Sequence, residues 1–107
     1  MAESTSATPA GEPRKFELPP GYDGLAEARR LLRSIRAGSL ATLDASGAPF
    51  ASLINVATAF DGAPLLLMSG LSAHTQYLLK DPRASILLAE TGKGDPLAHP
   101  RLTVSGT

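Results

Sequence analysis

The sequence has no cysteine and no tryptophan. The first absence excludes a disulfide framework and any thiolate metal site, and makes a reducing cytoplasm the default compartment. Net charge is lacking too, because ten Lys and Arg balance ten Asp and Glu. Without a field of one sign, neither nucleic acid nor an anionic membrane surface is an expected partner. No apolar run is long. Leu65 to Met68 falls far short of the ~20 residues that a membrane-spanning helix needs, and the N-terminus lacks the apolar core of a signal peptide. A cytoplasmic protein independent of membranes is expected. The 107 residues provide one small domain, whose limited core leaves a role for a second subunit or a bound cofactor.

What is present begins with a stretch rich in Ser, Thr, Ala, Pro and Gly, residues 1–21, which reads as a disordered or extended arm. The domain is expected over residues 22–107. From Leu25 onward, Leu25, Ala28, Leu32 and Ile35 recur at helical spacing, with Arg29, Arg30, Arg33 and Arg36 on other faces and Gly38 as the stop. The arginines read as a solvated face. "SLATLD", "FASLINVAT" and "LLLMS" then read as strands separated by the turns "ASGAP" and "FDGAP". Loops this short admit no crossover helix, so the three strands must run antiparallel. A short helix over His74 to Lys80 follows, then "ASILLAE", a Gly- and Pro-marked loop, and "RLTVSG". The order predicts a mainly β, antiparallel barrel with flanking helices. A chain ending at Thr107 leaves that barrel one strand short or incompletely covered, which suggests a truncated domain or one completed by another subunit.

The stretch "SGLSAHTQYLL" concentrates polar groups at the start of a helix. Ser72 occupies the N-cap position, so Ala73, His74 and Thr75 fall in the first turn, whose N–H groups have no partner within the helix. Such an end either is an ordinary capped surface helix or attracts an anion, with Ser69, Ser72, His74 and Thr75 as additional donors. In "FASLINVAT", alternation puts Ser52 with Ile54 and Val56 on one face, and Asn55 with Leu53 and Ala51 on the other. A buried Asn55 would either tie backbone together or meet a polar ligand. His74 and His99 lack metal-ligand spacing, so no metal site is expected. No serine sits in a nucleophile elbow, and no residue stands out as a general acid or base.

Taken in order, "GSLATLDASGAPFASLINVA", "LLLMSGLSAHTQYLLKDPRASILLAE" and "GDPLAHPRLTVSG" resemble the pyridoxamine 5'-phosphate oxidase-like FMN-binding split barrels, and among them the branch of HugZ-type heme-utilisation proteins. The likeness covers about residues 25–107. It implies a split β-barrel that forms a homodimer with cofactor sites at the interface. It further implies an FMN-dependent oxidoreductase acting on a small molecule, or alternatively a heme-binding or heme-degrading protein using the same cleft. Under the resemblance, Ser52, Leu53, Ile54 and Asn55 lie along the flavin, Ser69, Ser72, His74 and Thr75 hold its phosphate, and Arg101 lies near the dimer interface. Where the oxidases carry Arg in the second strand and Arg-Lys in the phosphate segment, this chain has Ser52, Ala73 and His74. Hydroxyls and helix-end N–H groups would then replace charge-assisted phosphate contacts. For the heme alternative, the resemblance leaves His74 or His99 as the available imidazole.

Overall fold

A computed structural model of the protein describes residues 19–107. Residues 1–18 of the expected arm lie outside the described residues. The elements are α1 (Gly24–Ser34), β1 (Ala37–Leu43), β2 (Pro49–Thr58), β3 (Pro64–Leu67), α2 (Ala73–Lys80), β4 (Ala84–Ala89), a 3-10 turn (Pro96–Ala98) and β5 (Arg101–Gly106). No helix among the described residues is long and apolar enough to cross a membrane.

Turn chemistry sets the first hairpin. Asp44 Oδ1 accepts from the N–H groups of Ser46 and Ala48, each at 2.9 Å, and from the Ser46 hydroxyl at 2.6 Å. Gly47 supplies the positive φ of 84° that other residues adopt only with strain. The resulting register pairs Ala37 with Asn55 and Leu43 with Pro49. The full sheet has the order β3-β2-β1-β4-β5, every pair antiparallel. It is the mainly β, antiparallel split-barrel architecture expected from the sequence. The sheet curls without closing, so β3 and β5 remain its two edges.

Strand alternation separates the two faces as predicted. Ser52, Ile54, Val56 and Thr58 turn inward, while Leu53, Asn55 and Ala57 are exposed. The buried core is Leu40, Ile54, Val56, Ile86 and Leu88, covered in part by Leu32 and Ile35 from the α1 side and Leu78 from α2. The outer face keeps large apolar side chains in solvent: Leu53 is 77% and Leu67 76% exposed. Across the sheet, Leu53 pairs with Ser39, and Ser39 with Leu87, in one row.

Two details of the first helix differ from the sequence reading. Leu31, not Leu25, is the buried residue of α1; Leu25 is 61% exposed. The helix also ends at Ser34 rather than at Gly38. Ile35 is already extended, with φ −81° and ψ 126°, and its side chain packs on the core. Gly38 belongs to β1, where a Cβ would lie 2.8 Å from Leu88 Cδ2, 3.0 Å from the Leu87 carbonyl oxygen and 3.1 Å from Ile86 Cγ2. Close approach of β4, not helix termination, is what requires this glycine.

Candidate functional site

β2 extends beyond its partner β3. The β2–β3 pairing covers only Asn55 to Thr58, so Pro49 to Ile54 leave a strand edge that β3 does not occupy. The chain leaving β3 at Leu67 passes along this edge before entering α2. Between the two lies a cleft of about 260 Å³ lined by Ala37, Leu53, Ile54, Asn55, Leu67, Met68, Ser69, Ser72 and His74. Six of the nine residues expected at the cofactor site therefore line one cavity, and two more bond directly to its lining.

The first of these two is Ser52. Its side chain turns inward from β2, and its Oγ lies 2.8 Å from His74 Nδ1. A second contact docks the same helix face on the same strand face. The Phe50 and Tyr77 rings meet edge to face, with centroids 5.2 Å apart and an interplanar angle of 84°. Phe50 and Ser52 are two apart on a strand, and His74 and Tyr77 are three apart on a helix. Each pair thus shares one side of its element.

The other residue is Thr75. Its hydroxyl donates to the Ser69 carbonyl at 2.6 Å and lies 2.9 Å from the Ser72 hydroxyl. Ser72 Oγ also donates to the Ser69 carbonyl, at 2.8 Å. Ser72 stands at the N-cap as expected, but its side chain makes no capping hydrogen bond. The hydroxyls expected to hold phosphate are tied into the chain's own turn. Gln76 Nε2 adds a bond to the Gly70 carbonyl at 2.7 Å, a staple absent from the sequence reading.

Asn55 is on the outer face and exposed, not buried, because the alternation that puts Ile54 and Val56 in the core turns it outward. Ile54 is only 5% exposed, so its side chain belongs to the core. Arg101 is the member not brought to this cleft. It opens β5 opposite Ala89, with β1 and β4 between it and β2, a separation of about 14 Å at ordinary strand spacing. Its Nη1 donates to the Leu97 carbonyl at 3.2 Å. Sequence reasoning missed Ala37, Leu67 and Met68 as cleft residues. Leu67 and Met68 were legible in principle, since they immediately precede Ser69.

The two imidazoles are now distinguishable. His99 Nε2 lies 2.8 Å from the Lys93 carbonyl; because a carbonyl only accepts, that nitrogen carries the proton. The ring rests against Gly92, where a Cβ would come within 2.7 Å of Cε1. His99 thus pins the β4–β5 loop. His74 uses Nδ1 for Ser52 and makes no further side-chain hydrogen bond among the described residues. Its ring lines the cleft.

No Lys or Arg is among the residues lining the cleft. Cations gather instead near a separate opening of about 450 Å³, lined by Arg30, Arg36 and Glu90 among others. Arg30 there is committed, with Nη2 2.6 Å from both Glu27 and Glu90 carboxylates. These two carboxylates, through their hydrogen bonds, push the Arg30 guanidinium further above its ordinary range. The cleft beside β2 is therefore uncharged, with Leu53 and Leu67 beside the polar Asn55, Ser69 and Ser72, and it bears a single imidazole.

An open, curled antiparallel sheet with a cleft between its second strand and the segment entering α2 defines a split-barrel protein. A family model for pyridoxamine 5'-phosphate oxidase matches residues 25–107, and the chain belongs to that family. It is 37% identical over 65 residues to the chloroplastic non-canonical heme oxygenase HOZ of Arabidopsis thaliana, a stretch covering 59% of this chain and 20% of that protein. Among solved structures, a heme-binding protein from Mycobacterium smegmatis shares 42% identity with a TM-score of 0.68, over 75% of this chain and 33% of that one. HutZ, the heme storage protein from Vibrio cholerae, shares 27% identity with a TM-score of 0.63, over 75% of this chain and 57% of that one. The chain thus spans little more than half the length of these relatives at most.

Proposed function

We propose that this chain binds heme as a split-barrel protein of heme utilisation. The observation that carries this reading is the cleft's composition. Leu53 and Leu67 offer apolar surface to a flat ring, and His74 lines the same space with its Nδ1 already held. An apolar pocket with a few placed polar groups suits a large hydrophobic cofactor, and a neutral imidazole is a competent iron ligand. Bound heme would supply redox chemistry that the chain's own side chains lack. The chain's residues would bind and orient the ring through Leu53, Leu67 and the β2 edge, with His74 facing its metal. The heme-related names of the three relatives support the same reading.

A second reading, an FMN-dependent oxidoreductase acting on a small molecule, has its own support. The family is that of an FMN-binding oxidase, and the β2 edge offers backbone groups to a flavin ring. Against it stand the hydroxyls of Ser72 and Thr75, which bond to Ser69, and the absence of a cation among the cleft's lining residues. The cleft opens toward the exposed leucines of the outer sheet face. We therefore also propose that a second copy of the chain covers that face, as a homodimer with the site at its border. A cytoplasmic location fits the cysteine-free sequence.

Titration of the purified protein tests both ligands. A Soret band that saturates with hemin at micromolar concentration, with no quenching of added FMN fluorescence, is expected. Saturable FMN binding without a Soret change would reverse the order of the two readings, and binding of neither would refute both.

A further inference from the structure

We propose that Ser52 is a positioning residue for His74: its Oγ accepts the Nδ1 proton and so fixes the imidazole tautomer whose Nε2 lone pair faces the cleft. The inference rests on the reading of this cleft as a heme site. The two atoms lie 2.8 Å apart, and no second side-chain hydrogen bond is made by either residue among the described residues. Both side chains are half-buried, so water competes for the pair less than it would on an open surface.

Two restraints hold the geometry. Phe50 and Tyr77 lock α2 against β2 one step along the same two faces, which leaves His74 opposite Ser52 and not free to swing into solvent. Ser52 projects from the strand as a short side chain with one rotatable bond before the oxygen, so its oxygen is set by the backbone of β2. With Nδ1 committed, Nε2 is the nitrogen left for a ligand. The surroundings favour a lone pair there. Asn55, Ser69 and Ser72 also line the cleft, but among the described residues the Ser52 contact is the one side-chain hydrogen bond that His74 makes, so no acceptor is in place for an Nε2–H. A metal-ligating histidine commonly donates its other ring N–H to an oxygen in this way, which fixes the tautomer and ring orientation. The chain's other imidazole shows the opposite arrangement, with Nε2–H spent on the Lys93 carbonyl.

The test uses the ligand-free, 15N-labelled full chain, in which long-range proton–nitrogen correlations report the tautomer of each histidine. With only two histidines in the sequence, a His74→Gln variant assigns them. His74 is expected as the Nδ1–H form in the native protein and in Ser52→Thr, which keeps an oxygen at the position. In Ser52→Ala it should revert to the Nε2–H form that free imidazole side chains prefer. Hemin titration of the same samples should show affinity about tenfold or more weaker in Ser52→Ala and largely retained in Ser52→Thr. Circular dichroism verifies that each variant is folded. An Nε2–H tautomer at His74 in the native protein overturns the proposal, as does a Ser52→Ala protein with unchanged tautomer. Hemin binding by His74→Gln equal to the native protein severs the tautomer from ligand binding and overturns it as well. The expected tautomer shift with no hemin binding by any form would leave Ser52 as the positioning residue and refute the heme reading instead.

Discussion

Phe50 at the start of β2 and Tyr77 in the middle of α2 meet edge to face, their ring centroids 5.2 Å apart. This contact brings the helix that begins at the candidate site down onto the strand that forms its floor. It also fixes how far His74 stands from Ser52, one step along on the same two faces.

Removing that anchor should loosen the site without unfolding the protein. Phe50 is 38% exposed, so Phe50→Ala is expected to cost about 2 kcal/mol, below the value for a fully buried ring. Urea denaturation measures the loss. Ligand affinity should fall along with it, and the His74 tautomer ratio should move toward that of a solvent-exposed histidine. A site as well ordered in Phe50→Ala as in the native chain would contradict the anchoring role.

Gly38 provides a test of the core on the side of β1 that faces β4. Its missing Cβ makes room for a backbone oxygen as well as two side chains, and backbone gives way less readily than a side-chain tip. Gly38→Ala is expected to destabilise by about 1–3 kcal/mol through overpacking. A neutral result would mean that β4 can retreat from β1 at no cost.

The acid limb of stability has a predictable sign. Hydrogen bonds from the Arg30 guanidinium, the Ser46 hydroxyl and the Arg83 guanidinium hold Glu27, Asp44 and Asp81 below their ordinary values of 4.5, 3.8 and 3.8. Depressed carboxyl values mean that the unfolded chain takes up protons first on acidification. Their contribution is complete above the ordinary values and disappears as pH falls through the lowered ones. Urea midpoints should be flat from neutral pH to about 5 and decline below about 4.5. Because all three groups are in contact with solvent, the decline should be modest and should shrink further in salt. Asp44→Asn should make it shallower, with Glu27 and Asp81 accounting for the remainder. A midpoint that rises on acidification would show that other groups dominate.

The outer face should report on self-association. Leu87 is 42% exposed and lies in the same row as Leu53 through Ser39. Leu87→Glu should leave monomer stability nearly unchanged while weakening the dimer by about tenfold or more, since an unpaired charge in an apolar interface is costly. Sedimentation equilibrium distinguishes the two forms. Native protein that sediments as a monomer at every concentration would remove the proposed homodimer.

Much of the fold was legible because its signals are local. Gly47 marks the turn "ASGAP", and alternation in "FASLINVAT" shows which residues share a face of β2. Signals that depend on partners distant in the chain were misread. Gly38 resembles a helix stop in sequence, yet its neighbours are Ile86, Leu87 and Leu88. Asn55 suggested a buried polar group until its strand's inward face was identified.

The candidate site divides along the same line. By itself the sequence determined that Ser69 to Thr75 would open a helix with polar groups at its start, and that β2 would carry Ser52 and Asn55 on opposite faces. Helical and strand periods are properties of the local backbone, so no knowledge of the rest of the chain was required. Only the tertiary structure decided that Ser52 and His74 touch across 22 residues of chain, that His99 is bound to its own loop, and that Arg101 stands across the sheet from the cleft. Those outcomes follow from strand order and from where β3 stops, which arise when separate elements bury apolar surface against one another.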